Sequence, residues 1–203
     1  MCPRSRARRA ALPLVALALT ACAYHHRVEP RLAVERVAPV EPRIARKALL
    51  LLTPGFTDFA ASNTVEDPHF TVRSTYEVGP AAGRLMTDWV TRSFSAVEVR
   101  RLSEQDALRT MVTGDGVAGA DVVLVPRFEF RGEPYEGTTF PQRQRFVVRL
   151  RVDARSVPTG AVRSWLLEGR SAGRRQGANE SGLALWRAVD ALRDSLVASR
   201  GAL

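Results

Sequence analysis

The side chains able to do covalent chemistry are few and scattered. Histidine occurs only at 25, 26 and 69, and cysteine only at 2 and 22. A serine hydrolase needs a base beside its nucleophile. His69, in "EDPHF" with Asp67 two residues before it, is the one histidine available to the body of the chain, and no GxSxG elbow accompanies it. Glu66 and Asp67 are a carboxylate pair of the kind a glycosidase uses, yet adjacent acids in a loop read first as solvated turn residues. "GDGVAG" (114–119) has the glycines of a phosphate loop without the Lys-Ser/Thr that a nucleotide site requires, and reads as a flexible loop before a strand. His25 and His26 read as a solvated pair rather than a metal site. The expectation is a protein with no catalytic residues, no cofactor and no metal.

Arginine is the polar residue that recurs with a period. In "RQRFVVRLRVDAR" (143–155), Phe146, Val148, Leu150 and Val152 alternate with Arg143, Arg145, Val147, Arg149, Arg151, Asp153 and Arg155, so a strand here would put the arginines on one sheet face. Arg127 and Arg131 join them if the preceding strand is its neighbour. Two readings stand: a solvated face of an antiparallel sheet, or an electropositive platform for an anionic partner such as an acidic protein surface, a glycolipid phosphate or cell-wall carboxylates. Tyr135 and Phe140, in the loop "GEPYEGTTFPQ" (132–142), are further contact candidates. Composition tempers the platform, because the chain holds a single lysine, Lys47, against 29 arginines. Arginine abundance by itself therefore says little about anion binding.

Cys22 lies directly behind an apolar run. Arg4, Arg6, Arg8 and Arg9 form a basic head and "AALPLVALALTA" (10–21) an apolar core ending in small residues, the three zones of an export signal. As a helix, a core of about twelve residues spans about 18 Å, well short of the roughly 30 Å hydrocarbon layer. Leu19, Thr20, Ala21 and Cys22 resemble the lipobox of bacterial lipoproteins. The resemblance implies cleavage before Cys22, acylation of the new N-terminus with palmitate-type chains, and a membrane anchor that is stable because each buried methylene contributes about 0.8 kcal/mol. Ala23, in place of the Asp that favours inner-membrane retention, implies the periplasmic face of the outer membrane.

Removing residues 1–21 takes four arginines from a net charge of +9 and leaves +5. With Cys2 lost and Cys22 blocked, cysteine nucleophiles, CxxC redox chemistry and cysteine zinc sites are excluded. Residues 22–46, with Pro30, Pro39 and Pro42 and no apolar period, read as a flexible tether reaching at most about 80 Å at roughly 3.1 Å per residue. Residues 47–203 are expected to form one α+β periplasmic domain.

The elements that would position these residues follow from periodicity. "KALLLLTPGF" (47–56) is a continuous apolar run, suited to a strand buried on both faces, and "HFTVRSTYEVG" (69–79) alternates as a half-buried strand. In 79–94, Ala82, Leu85, Met86, Trp89, Val90 and Phe94 recur at helical spacing. "VEVRRL" (97–102) follows as a short strand and "SEQDALRTMV" (103–112) as a short helix capped by Ser103. "ADVVLVPRFEF" (120–130) alternates with Val122, Leu124, Phe128 and Phe130 on one face. After the arginine strand, "VPTG" (157–160) reads as a hairpin turn, 161–171 as the return strand, and 182–199 as a closing helix with Leu185, Trp186, Val189, Leu192 and Leu196 on one stripe. The order predicts a mixed, mostly antiparallel sheet with helices packed on one face.

That order, behind a lipobox, resembles small envelope lipoproteins with an α/β accessory domain: YajG-like lipoproteins, auxiliary lipoproteins of ABC transporters, and lipoprotein activators of peptidoglycan synthases. It implies a non-catalytic, membrane-anchored adaptor or accessory subunit of an envelope assembly or transport complex. Its partners would be the membrane, through the lipid, and an envelope protein complex, with glycolipid or peptidoglycan as further candidates and nucleic acid disfavoured by compartment. The alternative is a lipid or glycolipid carrier, which needs an enclosed apolar cavity where an adaptor needs an exposed surface.

Overall fold

The computed structural model describes residues 22–32, 37–67, 70–134, 144–171 and 177–199. The apolar run becomes β2 (Ile44–Leu52), an inner strand of a five-stranded sheet, next to its edge. It pairs in parallel with β5 (Phe94–Arg101) on one side and with β6 (Val122–Pro134) on the other. Then β7 (Gln144–Ser156) and β8 (Val162–Arg170) add an antiparallel meander, giving the order β5-β2-β6-β7-β8. β1 (Cys22–Val28), β3 (Ala61–Asp67) and β4 (Phe70–Tyr76) form a second sheet, ordered β1-β4-β3, with β1 parallel and β3 antiparallel to β4. The fold is α+β with two mixed sheets.

Alternation along β2 sends Ala48, Leu50 and Leu52 to one face and Leu49 and Leu51 to the other, and all five are buried. The first face belongs to the main core, covered by α2 (Val78–Ser93) and α4 (Gly177–Ala198). The second packs with Val123 and Val125 under Ala107 and Met111 of the short helix α3 (Glu104–Thr113). The chain moves from β2 outward to β5 through α2, then back past β2 to β6 through α3. Right-handed crossovers running in opposite directions along a sheet put their helices on opposite faces. Hence two helices fill the main layer and α3 covers part of the reverse side.

The two sheets meet through aromatic rings. Tyr76 of β4 lies edge-on to Phe146 of β7 with centroids 4.8 Å apart, and Phe146 stacks on Phe130 of β6 at 5.2 Å. Phe56, in the one-turn helix α1 (Pro54–Thr57), and Phe59 meet Phe128 at 4.9 and 5.0 Å. Edge-to-face contacts of this kind add to area burial, and burial raises the Tyr76 phenol above the ordinary tyrosine pKa, with the Ser74 hydrogen bond opposing.

The reading of residues 22–46 as a tether is corrected. The chain crosses α2 as a strap: Glu77 N–H donates to Val28 O at 3.0 Å, Trp89 Nε1 to Ala38 O at 3.1 Å, Val40 N–H to Ser93 Oγ at 3.2 Å, and Arg43 to the carbonyls of Arg92 and Thr91 at 2.8 and 3.1 Å. Val37 and Val40 are fully buried in the main core. Arg31 N–H reaches Ala178 O in the first turn of α4, and a Cβ at Gly182 would overlap the Arg31 carbonyl, so glycine is what lets the strap lie on the helix. Prolines hold such a chain extended without preventing it from docking. The same contacts accompany a start of α4 at Gly177, five residues before the expected 182: Glu180 and Ser181, polar in sequence, are buried where the strap meets the helix.

A tether would tolerate any substitution at Val40 within about 0.5 kcal/mol. The docked strap predicts instead that Val40→Asp destabilises the protein by about 2–5 kcal/mol in chemical denaturation, because it places an unpaired carboxylate in a filled core, whereas Ala38→Asp on the exposed side costs little.

Candidate functional site

The outward side of the β6-β7-β8 meander carries the arginines. Register sets Arg127 opposite Arg151 and Glu129 opposite Arg149, then Arg149 opposite Glu168 and Asp153 opposite Ser164. The result is a ladder of alternating sign. Arg149 Nε lies 3.1 Å from Glu168 Oε2, and Arg170 pairs with the other oxygen of the same carboxylate. Hydrogen bonds from Arg170 first and Arg149 second hold the Glu168 carboxyl below the ordinary carboxylate range. Arg151 Nε donates to Asp153 Oδ1 at 2.9 Å, and the Ser164 hydroxyl donates to the same oxygen.

These pairs decide how much positive charge the face presents. Like charges directly opposite each other repel, so the Arg127–Arg151 pair is made tolerable by Asp153, which is nearly buried. Arg127 is exposed and makes no ion pair or hydrogen bond with a described residue. Arg145 is exposed. Arg127, Arg145, Arg149, Arg151 and Arg170 share the face with four acids, Glu129, Glu133, Asp153 and Glu168, and register sets Glu133 opposite Arg145. The face is thus a charge-laced surface in which arginines and acids interleave, with Arg127 its arginine opposite a like charge. Two large apolar side chains interrupt it on β8: Leu166 at 73% exposure and Val162 at 53%.

Arg155 belongs elsewhere. The expected outward arginine reaches under α3, where Nη1 donates to the carbonyls of Met111 and Val112 at 2.9 Å each. A guanidinium at a helix C-terminus satisfies orphan carbonyls and complements the helix dipole. Gly114, at φ 76°, closes the helix just beneath it, and the expected Ser103 cap opens it, with Ser103 Oγ accepting from Asp106 N–H at 3.1 Å.

Arg143, Tyr135, Phe140 and His69 lie outside the described residues, and of Arg131 only the backbone is described, opposite Val147. Cys22 is the first residue of β1, its Cα in register with Phe70. Glu66 and Asp67 close β3 rather than standing in a loop. His25 Nε2 and Thr75 Oγ1 are hydrogen-bonded at 3.0 Å across the β1-β4 pair.

An open cleft of about 520 Å³ lies where β2 and β5 end, walled by α1 and α2. Leu52, Thr57, Asp58, Arg84, Asp88 and Arg101 are among the residues that line it. Its charges are largely committed: Arg84 to Glu29 of the strap, Asp88 to Arg92 at 2.6 Å, and Asp58 to the Thr57 hydroxyl at 2.8 Å. Its described lining residues carry hydroxyls and carboxylates but no imidazole or thiol.

Sequence periodicity found the β7 face but missed what neutralises it. The signal was present in 162–170, where Ser164, Leu166, Glu168 and Arg170 share one parity, the parity that faces the arginines.

No protein-family model and no curated protein sequence matches this chain. Among solved structures it is similar to the hypothetical protein CT253 from Chlamydia trachomatis, with 10% identity, coverage of 77% of this chain and 96% of that one, and a TM-score of 0.44.

If Arg155 holds α3 in place, Arg155→Ala destabilises the protein by about 1–3 kcal/mol, the usual range for a lost charge-assisted hydrogen bond to a buried partner. Hydrogen exchange should then rise across 104–113 while the β6-β7 ladder stays protected. Arg127→Ala, on the open face, serves as the neutral comparison.

Proposed function

We propose that this protein is a membrane-anchored, non-catalytic envelope lipoprotein, acting as an adaptor or accessory subunit of an envelope assembly or transport complex through the open face of its meander. The observation that carries the reading is the exposed ladder on β6, β7 and β8: arginines and acids interleaved around Leu166, backed by a filled core. Surfaces of mixed charge with a small apolar centre suit protein partners, where complementary charge sets register and rate of encounter. The described cleft supports the adaptor over the lipid carrier, since it is open rather than enclosed.

The anchor in this reading is Cys22. Cleavage before it would leave no slack between the lipid and the first strand, because β1 begins at Cys22. The body would then ride against the bilayer rather than at the end of a tether, and its partner would be met close to the membrane surface.

Two measurements test the reading. Cys22→Ser should abolish acylation and release the protein from membranes, and an intact mass showing an unmodified Cys22 in the wild type would remove the anchor. For the face, Arg127→Ser/Arg145→Ser/Arg149→Ser avoids Arg151, whose loss would strand the nearly buried Asp153. This triple change should alter stability by no more than about 0.5 kcal/mol per site and reduce crosslinked partners in the envelope. The wild-type complex should weaken with salt, as the Debye length falls to about 3 Å at 1 M. Equal partner yields from both proteins would return the ladder to a solvated face.

A further inference from the structure

β8 ends the five-stranded sheet, with β7 on one side and no described strand on the other. Two backbone bonds bracket it, Ser156 N–H to Ala161 O at 2.9 Å and Ser171 N–H to Phe146 O at 3.0 Å. Bonded and non-bonded pairs alternate along an antiparallel ladder. The odd-numbered residues 163–169 therefore turn their N–H and C=O groups toward β7, and Val162, Ser164, Leu166, Glu168 and Arg170 turn theirs toward the open edge. Consistent with this parity, the Arg170 carbonyl is accessible to Arg187, which donates to it.

Edges left open in this way are usually blunted by proline, lysine or a bulge. Residues 162–170 contain neither residue, and their pairing with β7 runs without a register shift. The charges sit toward the ends, at Arg163, Glu168 and Arg170. The middle is Leu166, the most exposed large apolar side chain among the described residues. The opposite edge strand, β5, carries Glu98, Arg100 and Arg101, and its most exposed large apolar side chain is Val99, at 40%.

We propose that β8 is the surface through which two copies of this chain join, edge to edge and antiparallel about a two-fold axis at Leu166, merging their five-stranded sheets into one. The strand is complementary to itself in this register. Leu166 meets its own copy, Ser164 meets Glu168, Val162 meets Arg170, Trp165 meets Leu167, and Arg163 meets Gly169, which has no side chain to obstruct it. No like charges stand opposite each other, and the residues whose backbone groups face outward bond one another. An axis at Glu168 or Arg170 would oppose like charges, and an axis at Ser164 or Trp165 would shorten the ladder. Centring on Leu166 uses the whole strand and covers the apolar side chain that is otherwise most hydrated. A two-fold interface requires such self-complementarity; an unrelated peptide strand does not. The pairing would also set two arginine ladders side by side on one face.

The test uses the full-length chain with Cys2→Ser and Cys22→Ser, in mild detergent. Sedimentation equilibrium should give a dimer. Leu166→Lys, which sets two like charges opposite each other at the axis, should weaken association at least tenfold while leaving the thermal melting of the monomer unchanged. In the same background, Leu166→Cys should form a disulfide-linked dimer under mild oxidation, since bonded antiparallel partners lie about 5.5 Å apart at Cα, within disulfide reach. A cysteine at the equally exposed Val112 of α3 should not. A monomer at the highest soluble concentration overturns the proposal. So does a dimer that is indifferent to Leu166→Lys or that crosslinks at 112 and not at 166, because its interface would then lie elsewhere. These readouts do not depend on the anchor or on the partner of the arginine face.

Discussion

Burial of β2 on both faces is the constraint from which the rest of the architecture follows. Five consecutive residues, Ala48 to Leu52, are almost wholly excluded from solvent, and each buried leucine contributes about 1.5–3 kcal/mol relative to an exposed one. A strand of this kind needs a strand on either side and a layer above and below. The parallel neighbours β5 and β6 supply the first, and crossovers in opposite directions supply the second. α3 is the thinner of the two covers, with only Ala107 and Met111 buried, and so depends on its caps. That dependence is why an arginine from the outward row of β7 is diverted to its C-terminus.

The thicker cover has its own requirement. α2 buries residues around much of its circumference, from Val78, Ala81 and Ala82 through Leu85, Met86, Trp89, Val90 and Ser93. One sheet face cannot cover that arc. The strap covers the remainder, accepting from the Trp89 indole and donating to Ser93 while Val37 and Val40 fill the space between. The N-terminal arm is accordingly part of the core rather than a lead to it. In the proposed role this matters directly, since an anchor at Cys22 then fixes the height and orientation of the body at the membrane, and the open face with it.

Much of this was legible in the sequence wherever one side chain in two or in three to four points to a continuous layer. The apolar run of β2, the stripe of α2, the alternation of β6 and β7, the Ser103 cap and the hairpin after Val157 all have such a layer behind them. The strap does not. Its contacts are single residues spaced by the geometry of α2, so Val37 and Val40 leave no period, and the prolines around them carry the same signature as a loose linker. β1 (CAYHHRV) and β3 (ASNTVED) hold few apolar residues, which gives no alternation to read. The arginine row was found and its neutralisation was not, because Glu168 and Arg149 are nineteen residues apart in sequence and meet only through strand register.

The claim on which the account turns is that the N-terminal arm is folded into the core across α2. Amide and indole hydrogen exchange followed by NMR on the native protein reads it directly, since the Val40 amide and the Trp89 indole are donors in strap contacts and nowhere else. The account predicts that both exchange as slowly as the amides of β2, opening only with global unfolding. Exchange of the Val40 amide at the rate of a free chain, with β2 still protected, would contradict it.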